Sequence, residues 1–291
     1  MKLLAKFNLL LILVFGLGMA LIAENANRFL MDQAKSEVLH QAELMAASAS
    51  ATREYTEQEL GPVLEKTPEH ATTFLPQTIP FYAATVTFNR LRQTYPDYSY
   101  KEAARNPTNL NDRAADWEAD LIDDFRNHPN EKELVGERDA ATGPSLYLAH
   151  PIVVEAGCLE CHSSPSVAPR ALVKHYGSNN GFGWNQNDVV GAQIISVPMS
   201  VPIQIAHQGF RGLLINLGVI FLIAIILIDI GLYFIVIRPL RKVSAAADRI
   251  STGEIELSML PVRGRDEISQ VTTSFNRMHT SLKKAFEMLN G

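Results

Sequence analysis

Residues 212–237, GLLINLGVIFLIAIILIDIGLYFIVI, carry a single charged side chain, Asp229. An α-helix rises about 1.5 Å per residue, so roughly 20 apolar residues cross the hydrocarbon core of a bilayer, which is about 30 Å thick. This stretch therefore predicts a transmembrane helix. The parts of the chain before and after it are expected on opposite sides of a membrane.

A second apolar stretch lies near the N-terminus. Residues 7–23, FNLLLILVFGLGMALIA, carry no charge. Two interpretations compete, because the residues Gly18-Met19-Ala20 resemble the small-residue cleavage site of a signal peptide. The apolar run continues past that site, and apolar side chains then recur with helical spacing over residues 26–39. We therefore expect an uncleaved membrane anchor over residues 1–23.

Cations flank both apolar stretches. Lys2 and Lys6 precede the first, and Arg238, Arg241 and Lys242 follow the second. Cytoplasmic flanks are rich in Lys and Arg, so both termini are predicted in the cytoplasm and residues 24–211 in the periplasm, outside the inner membrane. This outer segment has a net charge of about −9, which argues against nucleic acid as a partner.

The chain contains two cysteines, both in AGCLECHSSP, residues 156–165. Structural zinc usually takes four ligands, and the chain has no second Cys-x-x-Cys pair. A redox dithiol belongs beside a βαβ pattern, which the flanking sequence lacks. The third interpretation is c-type haem, with thioether bonds from Cys158 and Cys161 and His162 as the proximal iron ligand. Haem c is attached outside the membrane, which is where the predicted topology places this motif. The topology therefore favours covalent haem, and the single motif predicts one haem per chain.

The outer segment also indicates a fold class. Residues 24–60 and 78–92 have helical patterns, and a short helix is expected to start at Asp112 or Ala115. Strands are predicted over residues 97–103, 134–137, 145–154 and 189–199. This order predicts an α+β domain in which helices cover one side of an antiparallel sheet.

Four stretches of the outer segment together resemble a known family. They are ARNPTNLNDRAADWE (104–118), CLECHSSPSVAP (158–169), GFGWNQNDVVGA (181–192) and SVPM (196–199). Their order is similar to that of membrane-anchored haem-c domains with a PAS-like fold, first known from cyanobacteria, and the resemblance spans roughly residues 24–205. It implies a sensory domain in which Cys158 and Cys161 hold the haem and His162 ligates its iron.

The second axial ligand of the haem is left open by the sequence. The founding type of the family uses a cysteine thiolate, and this chain has no third cysteine. An open or water-bound site is one alternative, and the candidate side chains are those of Met199, His175, Tyr82 and His150. The planar fork of Arg105 suits a haem propionate, although a structural role in the adjoining turn fits this residue equally well.

The residues after the second apolar stretch predict two short helices with a connector between them. Apolar residues recur with coiled-coil spacing in both helices: Pro239, Val243, Ala246 and Ile250 in the first, and Ile268, Val271, Phe275, Met278 and Leu282 in the second. The segment resembles a HAMP domain in its membrane-proximal proline, its Gly253 and its Asp266-Glu267. A HAMP unit is a parallel four-helix bundle of two chains, so the resemblance implies a homodimer. A helical hairpin that folds on itself is the alternative.

Asp229 is an ionisable residue inside a predicted membrane helix. Such a residue costs about 2.5–3.5 kcal/mol on insertion scales. Two copies could meet near the dimer axis, where one carboxyl could be protonated. The plainer interpretation is that Asp229 is hydrated near the inner interface, because about 12 Å of helix separates it from Arg238.

These parts predict four regions: an N-terminal transmembrane anchor at 1–23, a periplasmic haem-c domain at 24–211, a transmembrane helix at 212–237 and a HAMP domain at 238–291. The expected protein is a redox or small-gas sensor of the inner membrane that passes a conformational change to a cytoplasmic partner in trans, such as a kinase or phosphatase. A membrane-tethered monohaem cytochrome for electron transfer and a receptor without haem are the alternatives. Since no further set of His, Asp or Ser has a recognised spacing, an enzyme is not expected.

Overall fold

A computed structural model of the chain describes residues 3–141 and 143–290, so the predicted flanking cation Lys2 lies outside the described residues. The chain divides into two compact units. One unit spans Ala26–Phe210, and the other combines Met1–Asn25 with Arg211–Gly291.

The described helices are α1 Leu3–Tyr55, α2 Gly61–Leu64, α3 Pro68–Thr72, α4 Pro80–Thr94, α5 Asp116–Asn127, α6 Leu159–His162, α7 Arg170–Tyr176, α8 Ser200–Leu232, α9 Arg238–Ser251 and α10 Glu267–Asn290. Two π-helical turns, Thr56–Leu60 and Tyr233–Ile237, follow α1 and α8. The strands are β1 Ser99–Ala104, β2 Leu134–Ala140, β3 Gly143–Val153 and β4 Val189–Pro198. Every helix and strand expected in the outer segment therefore forms, with boundaries shifted by up to a few residues.

The four strands form one antiparallel sheet in the order β1-β4-β3-β2. Strand β4 is central, and it pairs with β1 through Tyr100 and Ile195 and with β3 through Leu148 and Ile195. The mixed helical and antiparallel fold class is thus confirmed.

Helices cover both faces of the sheet, so the expectation of helices on one side was wrong. On one face Leu148 and Ile195 pack against α1 and α4, which contribute Val38 and Phe88. On the other face Ala103, Ala149, Ala192 and Ile194 pack against Leu121, Ile122 and Phe125 of α5. Strand β4 is buried along most of its length. A strand that is covered on both faces typically has a continuous run of apolar residues in its sequence, instead of an alternating pattern.

A buried polar group lies on the α1 face of the sheet. Gln193 Nε2 donates a hydrogen bond to Tyr100 Oη at 3.2 Å, and Tyr100 Oη donates to Glu102. Glu102 is 8% exposed. Burial raises the pKa of the Glu102 carboxyl from 4.5 to about 8, although the hydrogen bond from Tyr100 opposes this shift.

The raised pKa of Glu102 predicts a pH-dependent stability. Below pH 4.5 the carboxyl is protonated in both the folded and the unfolded chain, so burial carries no ionisation penalty. As pH rises to about 8 the unfolded chain ionises first, and the folded state loses stability. Glu102→Gln should therefore become the more stable variant as pH rises, by on the order of 4 kcal/mol at pH 8.

Thermal unfolding in detergent between pH 4.5 and 8.5 measures this effect. Glu57→Gln, a change at an exposed position, serves as the matched control and should track the parent protein at every pH. A constant stability difference between the Glu102→Gln variant and the parent across this pH range would contradict the prediction.

The other unit contains the two apolar stretches. Helices α1 and α8 are long and apolar enough to cross a membrane. Within this unit Asn8 Nδ2 donates a hydrogen bond to Asp229 Oδ2 at 2.9 Å, and the rings of Phe15 and Phe221 stack with centroids 4.9 Å apart. Because the contacts advance along α1 while they retreat along α8, the two helices run antiparallel.

Helices α9 and α10 are joined by a connector that is held against α10. Asn276 Nδ2 donates to the carbonyl of Leu260 at 2.8 Å, and the amide of Leu260 donates back to Asn276 Oδ1 at 3.0 Å. The imidazole Nε2 of His279 bonds the carbonyl of Ile255 at 2.9 Å. Gly253 has φ +97°, a left-handed conformation that glycine adopts at low cost where α9 ends.

Candidate haem site

The two cysteines lie on one short turn of helix at an edge of the sheet. Strand β3 ends at Val153, a 3₁₀ turn covers Ala156–Cys158, and α6 carries the motif to His162. Both thiols are half-buried and form no disulfide. The turn therefore presents two free thiols and an imidazole within five consecutive residues.

The His162 ring is fixed by its Nδ1 atom. This atom lies 2.7 Å from the carbonyl oxygen of Gly181 and 3.4 Å from Thr108 Oγ1. A carbonyl oxygen only accepts hydrogen bonds, so Nδ1 carries the hydrogen and Nε2 keeps a lone pair. Burial lowers the pKa of His162, while the bond to Gly181 opposes this shift. A neutral imidazole with an anchored Nδ1–H is the form that ligates metals.

The segment around Trp184 holds the other side of His162. The two rings stack with centroids 4.0 Å apart and an interplanar angle of 12°. The backbone amide of Trp184 donates to the carbonyl of His162 at 3.3 Å, and that of Gly183 donates to the carbonyl of Ser163 at 3.1 Å. The end of α6 is thus held by a ring contact and two backbone hydrogen bonds.

Position 181 requires glycine for two reasons. Its φ is +79°, and a Cβ there would lie 2.0 Å from Thr108 Oγ1 and 2.9 Å from the Thr108 Cα. The close approach brings the Gly181 carbonyl to His162 and brings Thr108 to the same place. The motif segments that contain Thr108, His162 and Trp184 therefore meet at one imidazole.

Sequence reasoning identified these three segments but not their meeting point. Gly181, Trp184 and Thr108 all lie within the motif stretches that resemble the family, but the sequence alone gives none of them a role. A glycine three residues before a tryptophan, downstream of Cys-x-x-Cys-His, is the signal that could have identified Gly181 and Trp184. Local sequence does not encode a contact between residues 108 and 162, which depends on how the loops close over the sheet edge.

The structure favours neither of the non-haem interpretations. The sheet is antiparallel throughout the described chain, so no βαβ unit surrounds the thiols. Burial, with smaller contributions from Glu160 and Cys158, raises the pKa of Cys161, which is opposite to the shift that activates a redox thiol. Neither cysteine belongs to a cluster of three metal-ligating side chains among the residues that the structure describes.

Met199 lies far from His162. Pro198, the residue before it, pairs with Ser145 at the start of β3, whereas His162 follows Val153 at the end of that strand. The paired part of β3 is roughly 27 Å long. Met199 is also 1% exposed and belongs to the core on the α1 face, so its position argues for a core role rather than an axial ligand.

The other candidate ligands have defined surroundings. His175 stacks on Phe74 with centroids 5.6 Å apart and makes an edge contact with Tyr176. Burial and, secondarily, the neighbouring Tyr82 raise the pKa of Tyr176, which places Tyr82 near α7. His150 Nε2 lies 3.3 Å from Glu133 Oε2. Identification of the second axial ligand among these groups stays a prediction.

Arg105 already has partners on α5. Its guanidinium forms an ion pair with Asp123 and donates to the carbonyl of Ala119 at 3.3 Å. To hold a propionate, Arg105 must give up or share Asp123. Its assignment as a haem contact stays a prediction, and the structure supplies the alternative structural role.

The donor set fits a covalently attached haem. Two reduced thiols three residues apart can each form one thioether, and the adjacent imidazole offers an unprotonated Nε2. The Nδ1–H bond to Gly181 fixes that tautomer. The residues present at this edge of the sheet therefore satisfy the chemistry of c-type attachment.

Comparison with known proteins finds matches to two family models. Residues 31–198 match the family model described as Tll0287-like, and residues 232–284 match that of the HAMP domain. A solved structure, the cyanobacterial heme-protein Tll0287, aligns with 14% sequence identity and a TM-score of 0.43 over 56% of this chain and 95% of its own. No curated protein matches the chain. Since the first match covers more than half of its residues, the chain belongs to the Tll0287-like family and carries a HAMP domain behind it.

Proposed function

We propose that the protein is a membrane-bound c-type haem sensor that relays a redox or small-gas signal through its HAMP domain to a cytoplasmic partner. The observation that carries this proposal is the anchored imidazole beside two free thiols, in one chain with two apolar helices and a HAMP domain. An electron carrier has no evident use for the HAMP domain.

The cofactor in this proposal is held by three residues. Cys158 and Cys161 form the thioethers, and His162 Nε2 binds the iron. When bound, the haem supplies a metal whose oxidation state or ligand changes with the signal. The protein's part is positional: the Gly181 carbonyl holds the imidazole tautomer, and the Trp184 ring restricts its rotation.

The route from the sheet to the membrane is short in sequence. Strand β4 ends at Pro198 and α8 begins at Ser200. Met199, between them, donates its amide to Pro144 at 2.9 Å and accepts from the amide of Ile203 at 3.0 Å. Helix α1 carries both the first apolar stretch and the residues that pack on the sheet. The proposed signal route therefore runs along α1 and α8, since each of these helices has residues in both units of the chain.

We further propose that two chains associate through their HAMP helices. Three residues of the predicted seam on α10 are exposed in the single chain: Val271 at 45%, Met278 at 49% and Leu282 at 45%. The adjacent face, with Thr272 and His279, is already covered. Burying the exposed seam against a second copy removes apolar surface from water, which stabilises the association.

The finer assignments follow from this scheme. The haem domain is placed in the periplasm, with a PAS-like fold and both chain termini in the cytoplasm. The proposed regions are 1–23, 24–211, 212–237 and 238–291, with boundaries that follow the two apolar stretches and an orientation that follows the flanking cations. The output partner, a kinase or phosphatase acting in trans, is a prediction, and we propose no catalytic activity for the chain itself.

Cysteine cross-linking in membranes tests the relay. Leu282→Cys, on the seam, should give cross-linked dimers with a bismaleimide, and the yield should change when the haem is reduced or binds CO, NO or cyanide. Lys284→Cys, an exposed change on another side of α10, is the matched control. If the cross-linking yield of Leu282→Cys stayed the same under every one of these treatments, the proposed signalling route would be wrong.

A further inference from the structure

The side chains of Asn8 and Asp229 share one hydrogen bond and leave one buried oxygen atom on each without a partner among the described residues. Asn8 Nδ2 donates to Asp229 Oδ2 at 2.9 Å. The second oxygen of each group, Asn8 Oδ1 and Asp229 Oδ1, is buried and has no hydrogen-bond partner among the described residues. Both orphaned atoms belong to the same pair of side chains.

An ionised Asp229 would leave both of these oxygen atoms without a hydrogen-bond donor. A carboxylate only accepts hydrogen bonds, and so does the amide oxygen. Two buried acceptors without a donor are costly in hydrocarbon, where water does not compensate them. Hydration near the inner interface does not relieve the cost either, because the chain itself shields both atoms from solvent.

One proton satisfies both atoms. We infer that Asp229 is a neutral carboxylic acid whose Oδ1–H donates to Asn8 Oδ1, which closes a ring of two parallel hydrogen bonds between the membrane helices. In this ring the amide donates to one carboxyl oxygen and accepts from the other. The pair is uncharged, and each of its four polar atoms has a partner.

The ring acts as a positioning contact. Phe15 and Phe221 form a second contact layer, seven residues further along α1 and eight residues back along α8, which is about 10–12 Å on each helix. Two such layers fix both the rotation and the axial register of the antiparallel pair. Asp229 lies four residues before the π-helical turn Tyr233–Ile237, so the ring sets the rotation of α8 just before the HAMP helices begin.

The inference goes beyond the proposed haem function and does not depend on it. Its direct test is infrared spectroscopy of the whole chain in lipid nanodiscs. Besides the band of Glu102, whose carboxyl stays protonated below about pH 8, the parent protein should show a second protonated-carboxyl C=O band that shifts in D₂O and is absent in Asp229→Asn. The exchange variant Asn8→Asp/Asp229→Asn rebuilds the ring with its partners swapped, so it should recover the band. A parent spectrum without that band, or an unchanged Asp229→Asn spectrum, would overturn the inference.

A second measurement reads the position of the helices. In a Phe15→Cys/Phe221→Cys background the two cysteines should form an oxidative cross-link within one chain. Adding Asp229→Leu should lower its initial rate by roughly five- to tenfold, the size expected for two interhelical hydrogen bonds in a membrane. The exchange variant should restore the rate. An equal rate in all three would overturn the positioning role, and the haem content of each protein reports separately on the outer unit.

Discussion

Replacing both Cys158 and Cys161 by alanine should abolish covalently bound haem while leaving the outer unit folded. Each thiol forms one thioether in the proposed site, so no covalent link remains in the double variant. The thiols are half-buried and unbonded, and their loss removes little packing. Haem staining of a denaturing gel measures the covalent link, and circular dichroism measures the fold.

Single variants and a neighbouring change give this experiment its internal controls. Cys158→Ala or Cys161→Ala alone should retain one thioether and shift the haemochrome band, because one vinyl group stays intact. His162→Ala should keep both thioethers but lose the proximal ligand. Ser166→Ala, in the same loop and exposed, should be silent. Haem staining of undiminished intensity in the double variant would contradict the assignment of the thiols.

Phe125→Ala should cause the largest loss of stability in the outer unit. Phe125 is 1% exposed and belongs to the core that joins α5 to Ala192 and Ile194 of the central strand. Truncation of a buried phenylalanine costs about 3–5 kcal/mol, from lost transfer free energy and from the cavity left behind. For a unit of this size the melting temperature should fall by roughly 10 °C or more.

Thermal unfolding of the chain in detergent, followed by circular dichroism, measures this loss. Tyr95→Ala is the matched control, since Tyr95 is an aromatic residue that is 54% exposed, and it should change the melting temperature by no more than a few degrees. If Phe125→Ala and Tyr95→Ala had the same melting temperature, the described packing of α5 on the sheet would be wrong.

The sequence predicted those elements whose pattern is local. Helix α4 begins with Pro80 in its first turn, and α5 places Leu121, Ile122 and Phe125 on one apolar face. The apolar stretch at residues 212–237 lies within one continuous helical region, which can be recognised by length alone. In each case neighbouring residues carry the signal, so a single sequence is sufficient.

The sequence could not predict contacts between distant residues. The placement of helices on both faces depends on which alternate residues of β4 meet α1 and which meet α5, and a continuous apolar run does not distinguish the two faces. The pairing of Asn8 with Asp229 joins residues 221 positions apart. The sequence alone therefore favours a hydrated Asp229 near the inner interface and does not reveal its partner.

The sequence predicted the haem-attachment residues of the candidate site but not the contacts that support them. Cys158, Cys161 and His162 follow from spacing, but the support of His162 by Gly181, Trp184 and Thr108 requires the folded loops. For Arg105 the sequence suggests a haem contact but does not reveal the partner that the fold provides. Its side chain suits a propionate by chemistry, yet the fold supplies Asp123 as a partner that the sequence did not reveal.

The most direct test of the central claim is a pyridine haemochrome spectrum of the purified chain. The protein should be produced in a host with working cytochrome c maturation machinery and extracted with acidified acetone before measurement. The account predicts about one haem c per chain, retained through the extraction. A colourless protein, or a haem removed by the extraction, would contradict it.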